Sequence, residues 1–118
     1  MVIRSHRDLE VWQKGMEIVE EVYRLTSGFP EEEKYGLTSQ MRRAAVSVPS
    51  NIAEGSAKQT GNFCRHIEDA RGSLAELETQ LEVAVRLGLV KVSCAHRLNE
   101  LITSVGKMLT NLHRSLGK

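Results

Sequence analysis

The chain has 118 residues, of which 41% are hydrophobic and 26% charged, and its formal net charge at pH 7 is +1. That length suits one domain spanning 1–118, and ordinary globular composition excludes wholesale disorder. The charge balance excludes a strongly basic nucleic-acid protein but leaves room for a local basic patch. No apolar run approaches the roughly 18 residues of a membrane span, and Met1 to Glu10 lacks the apolar stretch of a secretory signal. No membrane association and a cytoplasmic address are expected. Two cysteines, Cys64 and Cys94, do not make a disulfide framework and read as reduced thiols.

Hydrophobic spacing predicts helices over about 8–27, 38–55, 61–87 and 93–116. In the first, Leu9, Trp12, Met16, Val19 and Tyr23 recur at intervals of three and four and read as the core stripe, with Gly28 and Pro30 as the stop. The second has Thr38 or Ser39 as its cap, and Leu37, Met41, Ala44, Val48 and Ile52 share one side. Pro49 lies inside that pattern, where a bend rather than a break is expected. The third is the most regular, stepping through Phe63, Ile67, Ala70, Leu74, Leu77, Leu81 and Ala84 before Gly88 stops it. Ser93 can cap the fourth, whose stripe is Leu98, Leu101, Val105, Met108, Leu112 and Leu116. Connections near 28–36, 56–61 and 88–92 are short, which favours an all-α, antiparallel up-down-up-down four-helix bundle.

The first helix carries a second stripe, Val11, Gly15, Ile18, Val22 and Leu25, beside the first. Together they cover about half the circumference, more than one seam needs. Gly72, Ala75, Thr79 and Val83 form a small-residue face on the third helix. Self-association into a closed homo-oligomer is therefore expected, through Val11, Ile18, Val22, Leu25 and Gly72.

Motifs that would specify a reaction are missing. No glutamate has histidine three residues later, the spacing used by carboxylate-bridged metal centres in bundles. Cys64 with His66, and Cys94 with His96, are two apart and point about 200° from each other on a helix. Phosphate-cradling glycine loops, nucleophile elbows and His-Glu-x-x-His are also missing. No cofactor, no metal site and no enzymatic activity are expected. A polar line is visible instead: Gln40, Ser47, Asn51 and Glu54 flank the second helix's stripe, and Ser73 and Glu76 can face them from the third. Hydrogen bonds there would fix helix register; a small polar site or subunit contact is the alternative.

Charge is segregated along the chain. Residues 1–36 hold five basic against eight acidic residues, whereas residues 88–118 hold five basic against Glu100 alone. Lys107, Arg114 and Lys118 share the outward side of the fourth helix, and Arg42, Arg43, Lys58 and Arg65 extend the basic surface. The helix macrodipole alone accounts for Arg114 and Lys118. Aromatic residues are only 4% and fall in apolar stripes, so nucleic acid would be contacted mainly at phosphate rather than by base stacking.

Three stretches then carry a resemblance. They are Arg7-Asp8-Leu9-Glu10-Val11-Trp12-Gln13-Lys14 with Phe29-Pro30 and Tyr35-Gly36-Leu37-Thr38; Gln40-Met41-Arg42-Arg43-Ala44-Ala45-Val46-Ser47-Val48-Pro49-Ser50-Asn51-Ile52-Ala53-Glu54-Gly55; and Gly72-Ser73-Leu74-Ala75-Glu76-Leu77-Glu78-Thr79. These resemble the bacterial 23S rRNA intervening-sequence proteins, also called the four-helix bundle protein family, over about residues 7 to 116. From Val90 onward the likeness is mostly apolar spacing, clearest at Lys107-Met108-Leu109 and Leu112.

The resemblance implies a left-handed antiparallel bundle assembled as a homopentameric ring. It also implies two settings for partners. The family's genes can lie within intervening sequences of ribosomal RNA genes, and a related fold is the accessory protein of diversity-generating retroelements, beside a reverse transcriptase. It supplies no catalytic residues. The expectation is a non-enzymatic, oligomeric bundle that binds structured RNA or DNA, or an RNA-handling partner, through basic surface gathered by symmetry. A protein-interaction scaffold without nucleic-acid affinity is the alternative.

Overall fold

Ser5 and Asp8 cap each other before the first long helix begins: Ser5 Oγ accepts from the Arg7 N–H at 3.2 Å, and Asp8 Oδ2 accepts from the Ser5 N–H at 3.2 Å. The resulting 3-10 turn, His6–Asp8, delays α1 to Glu10–Thr26, two residues later than the spacing predicts. A short 3-10 turn, Glu31–Glu33, leads into α2, Leu37–Ser56, which is followed by α3, Thr60–Arg86, and α4, Val92–Leu116. The computed structural model describes residues 5–58 and 60–117, and among these there is no strand.

The ends of the helices are set by groups other than the expected caps. Thr38 and Ser39 lie inside α2; the Leu37 N–H donates instead to Glu33 Oε1 at 3.2 Å, so a carboxylate from the preceding turn closes the helix start. Ser93 likewise lies inside α4, with Lys91 before its first residue. Gly88 does stop α3. Its φ is +76°, the Leu89 N–H donates to the Ala84 carbonyl at 2.9 Å and the Gly88 N–H to the Val85 carbonyl at 3.0 Å, the paired bonds of a Schellman ending that a side chain would strain. α2 runs unbroken through Pro49.

Each of α1 and α3 packs against both α2 and α4, while the diagonal pairs meet less closely, their backbones staying more than 8 Å apart among the described residues. The result is a four-helix bundle 44 Å long and 24 by 20 Å across. Its centre is filled by the stripes read from α2, α3 and α4, with Met41, Ile52, Ile67, Leu77, Leu81 and Leu98 fully buried, and by Leu109, which lies outside the expected α4 stripe and is fully buried where Met108 is not. Toward the end of α4 the stripe is less covered: Met108, Leu112 and Leu116 are only partly buried against this core.

α1 overturns the expected order of its two stripes. Ile18 and Val22 are 0% exposed and Val11 and Gly15 are buried, whereas Met16 is 38% and Tyr23 43% exposed, with Trp12 and Val19 half-buried. Val11, Ile18 and Val22 therefore belong to the subunit's own core and offer no surface to a second copy; Leu25 is partly buried against the same core. The stripe that turns inward is the one that packs on α2: Gly15 lies over Pro49 and Val48, where a Cβ would stand 3.5 Å from Pro49 Cβ and 3.6 Å from Val48 Cγ1, and with Val11, Ile18 and Val22 buried on that side Met16 is left facing outward.

Candidate functional site

The polar line of α2 meets α3 in a connected seam. Asn51 Nδ2 donates to the Ser47 carbonyl at 2.9 Å and to Ser47 Oγ at 3.1 Å, and Ser47 Oγ shares a 2.8 Å hydrogen bond with Ser73 Oγ. Because a carbonyl only accepts, Asn51 must turn its NH2 toward Ser47, which leaves Oδ1 facing His66 Nδ1 at 3.0 Å. That ring nitrogen must then carry the proton. The other nitrogen, Nε2, lies 3.2 Å from Lys58 Nζ, which in turn lies 3.4 Å from Glu54 Oε1. In the neutral ring Nε2 accepts from the ammonium, so every contact in the chain from Ser73 to Glu54 has a donor and an acceptor. Gly55 makes the approach possible: a Cβ there would be 2.7 Å from His66 Cβ and 2.9 Å from Phe63 Cδ1.

Ser47, Asn51 and Ser73 thus bridge α2 and α3, while Glu54 reaches Lys58 in the turn just after its own helix. Gln40 and Glu76 line a small cleft of about 280 Å³ with Arg43, Ala44, Ser47 and Ser73.

The basic residues fall into three groups. Arg42 is withdrawn from any basic surface: its Nε donates to Thr26 Oγ1 at 2.9 Å and its guanidinium stacks 4.4 Å over Tyr23, tying α2 to the end of α1. Thr26 can accept because its own hydroxyl donates to the Val22 carbonyl at 2.7 Å. Arg43 is exposed but sits in the Gln40 and Glu76 cleft, in the other half of the bundle. Lys58, Arg65 and Arg114 share one end, because His66 adjoins Lys58 and Asn51, and His113 Nε2 lies 3.1 Å from Glu68 Oε1. Lys107 stands about 10 Å further along α4 at helical rise. Arg65, Lys107 and Arg114 are exposed, and among the described residues no ion pair engages them. Lys118 lies outside the described residues.

Arginines 24 and 97 are structural. Both reach Glu21, which is buried at the α1 and α4 seam, and the hydrogen bond that Arg24 donates to Glu21, with the carboxylate's charge, raises the Arg24 guanidinium above its usual range. Two of the open grooves lie between helices on opposite sides of the bundle. One, about 330 Å³ between α1 and α2, is lined by Trp12, Met16, Val19, Val46, Pro49, Ser50 and Ala53. The other, about 610 Å³ between α3 and α4, is floored by Leu74 and Ile102 with Ala75 and Gly106 in its walls. Gly72 is exposed with open space around it. Among the described residues no three His, Cys, Asp or Glu side chains group as metal ligands, and no helix is long and apolar enough to cross a membrane.

The family model described as 23S rRNA-intervening sequence protein matches residues 7–111. The chain belongs to that family. It is similar to a solved structure from Bacteroides thetaiotaomicron, described as a protein with unknown function from the S23 ribosomal protein family. Identity is 21%, covering 87% of this chain and 97% of that one, with a TM-score of 0.78, a likeness that speaks for the fold. No curated protein matches the chain significantly.

Within this family fold, the residue that the sequence reading missed is His66. Its spacing of two from Cys64 draws attention to metal ligation, but its spacing of seven from Ser73 is the informative one, because seven residues return to the same helix flank. His66 and Ser73 both meet α2, whereas Cys64 is only partly buried and Cys94 is exposed.

Proposed function

We propose that this family member is a non-enzymatic, oligomeric binding protein that holds structured RNA or DNA by its phosphates. The observation that carries the reading is the convergence of Lys58, Arg65 and Arg114, with Lys107 behind them, on the end where α2 finishes, α3 begins and α4 finishes. Three of these four cations are exposed without an ion-pair partner, and no aromatic platform accompanies them. Phosphate contact of this kind is sequence-tolerant and salt-dependent.

The reading takes the helices as antiparallel neighbours. Supporting it, Gly15 sits against Pro49 while Thr26 meets Arg42, Gly55 sits against His66 while Ser47 meets Ser73, and Glu68 meets His113. In the α1 and α2 pair, and again in α2 and α3, positions rise along one helix as they fall along the other. It also takes the subunits as a homo-oligomeric ring, a pentamer in keeping with the family resemblance. The α1 and α2 groove lies on the side of the bundle away from the α3 and α4 groove, so contact between unlike faces of successive copies would be head-to-tail, the arrangement that closes rings. A ring presents several copies of a modest cationic site to one polyanion.

Fluorescence anisotropy with an RNA hairpin and a DNA duplex tests the binding. Wild-type affinity falls steeply with salt, and combining Arg65→Ala, Lys107→Ala and Arg114→Ala flattens the log–log slope by about 2 to 3 as well as weakening binding. No binding at low salt would favour the scaffold reading. For assembly, Met16→Glu keeps the subunit folded and yields monomer in sedimentation, whereas Ile18→Glu costs several kcal/mol, on the order of 3 or more, and unfolds the chain. A wild-type protein that sediments as monomer at micromolar concentration would remove the ring.

A further inference from the structure

We infer that Lys58 and His66 form a proton-coupled phosphate clamp at the turn between α2 and α3, a site that rests on the phosphate-directed reading above and adds a proton to it. The inference comes from a constraint in the seam. The Ser47 carbonyl fixes the Asn51 amide, the amide fixes the proton on His66 Nδ1, and Nε2 is left with a lone pair turned to the Lys58 ammonium at 3.2 Å. Histidine is the side chain that changes charge most readily near neutral pH. When Nε2 takes a proton from solvent, two N–H donors of like charge face each other across that distance, and an anion that accepts from both relieves the repulsion. A phosphoryl oxygen fits the requirement, since it can accept from both Lys58 Nζ and His66 Nε2.

The groups facing His66 are consistent with this use. From α2 they are Asn51 and Glu54, and from the turn after it Lys58; on its own helix Arg65 is adjacent and Asp69 lies three residues on. Glu54 is the competitor, because its carboxylate already holds Lys58 at 3.4 Å and must yield for phosphate to bind. Asn51 supports the clamp in either protonation state, since His66 Nδ1 donates to it in both. The remaining proton is added at Nε2, so the clamp takes up one proton from solvent at His66, over and above any change in the ligand's own protonation.

Inorganic pyrophosphate is the probe, followed on the assembled wild-type protein by 15N NMR of the histidine rings at pH 7. The expected result is that the His66 Nε2 signal moves from the unprotonated to the protonated position as pyrophosphate is added. Affinity should fall by up to about tenfold per pH unit as pH rises, the slope of one linked proton. Glu54→Gln should raise affinity several-fold, and His66→Gln should flatten the pH dependence. An unmoved His66 signal, or a pH slope equal in wild type and His66→Gln, overturns the clamp. An RNA hairpin measured in parallel separates the two readings. Binding of RNA with an unmoved His66 refutes only the clamp, whereas a responding His66 without RNA binding refutes only the nucleic-acid reading.

Discussion

The two seams made by α3 differ in how their spacing is held. Against α2 the helices approach at Gly55, where even a methyl group would collide with His66 and Phe63, and Ser47, Asn51, His66 and Ser73 exchange hydrogen bonds along the contact. Against α4 the polar contact is the half-exposed pair of His113 with Glu68, and the helices leave a groove of about 610 Å³ in which Gly106 has open space around it. One seam is fixed by steric fit and directional bonds; the other is held by the apolar core beneath it. The glycine in each helix therefore has opposite meaning, one required by contact and one merely tolerated.

The sharpest way to break this comparison is to add the same methyl group to both seams. Gly55→Ala is expected to cost about 2 to 3 kcal/mol, because the clash at 2.7 Å forces the helices apart and outweighs the better helix propensity of alanine. Gly106→Ala, with nothing within 4 Å, is expected to gain up to about 1 kcal/mol. Urea denaturation of the two variants measures the difference, and equal effects would mean that the seams are alike.

Polar deletion gives a smaller contrast. Asn51→Leu strips His66 Nδ1 of its acceptor and Ser47 of its donor, at an expected cost of about 1 to 3 kcal/mol, whereas His113→Ala loses a pair open to solvent and should cost under about 1 kcal/mol. Thermal melts at one protein concentration report both. A cost for His113→Ala as large as that for Asn51→Leu would move the directional contact to the α4 seam.

The smallest expected effect concerns Gln80, seven residues beyond Ser73 on α3, whose Oε1 is buried without a partner. Gln80→Met removes that unsatisfied oxygen at similar volume, so stability should be unchanged or rise by about 1 kcal/mol. A clear loss in denaturation would show that the amide is bonded in the folded protein, and would extend the α2 seam by one more polar position.

Much of the bundle was legible because α3 repeats its apolar positions from Phe63 to Ala84 within a helix of 27 residues, and a stripe of that length marks one face to bury. The polar line on α2 was legible for a related reason: groups flanking a core stripe need partners, and Ser47, Asn51 and Ser73 have them. α1 was different. Two adjacent stripes of similar hydrophobicity satisfy the same period, and helical spacing cannot say which one turns inward.

By itself, then, the sequence determined four amphipathic helices, the Gly88 ending and the residue types available to the proposed phosphate site, because these depend on local spacing, composition and backbone preference. Tertiary structure decided what depends on which surfaces meet. The packing of α1 on α2 beside Pro49 turned Ile18 inward and Met16 outward, Thr26 and Tyr23 took Arg42 out of the basic surface, and Gly55 let His66 come to Asn51 and Lys58. In each case the deciding quantity is a separation of a few ångströms between residues distant in the chain, which periodicity does not encode.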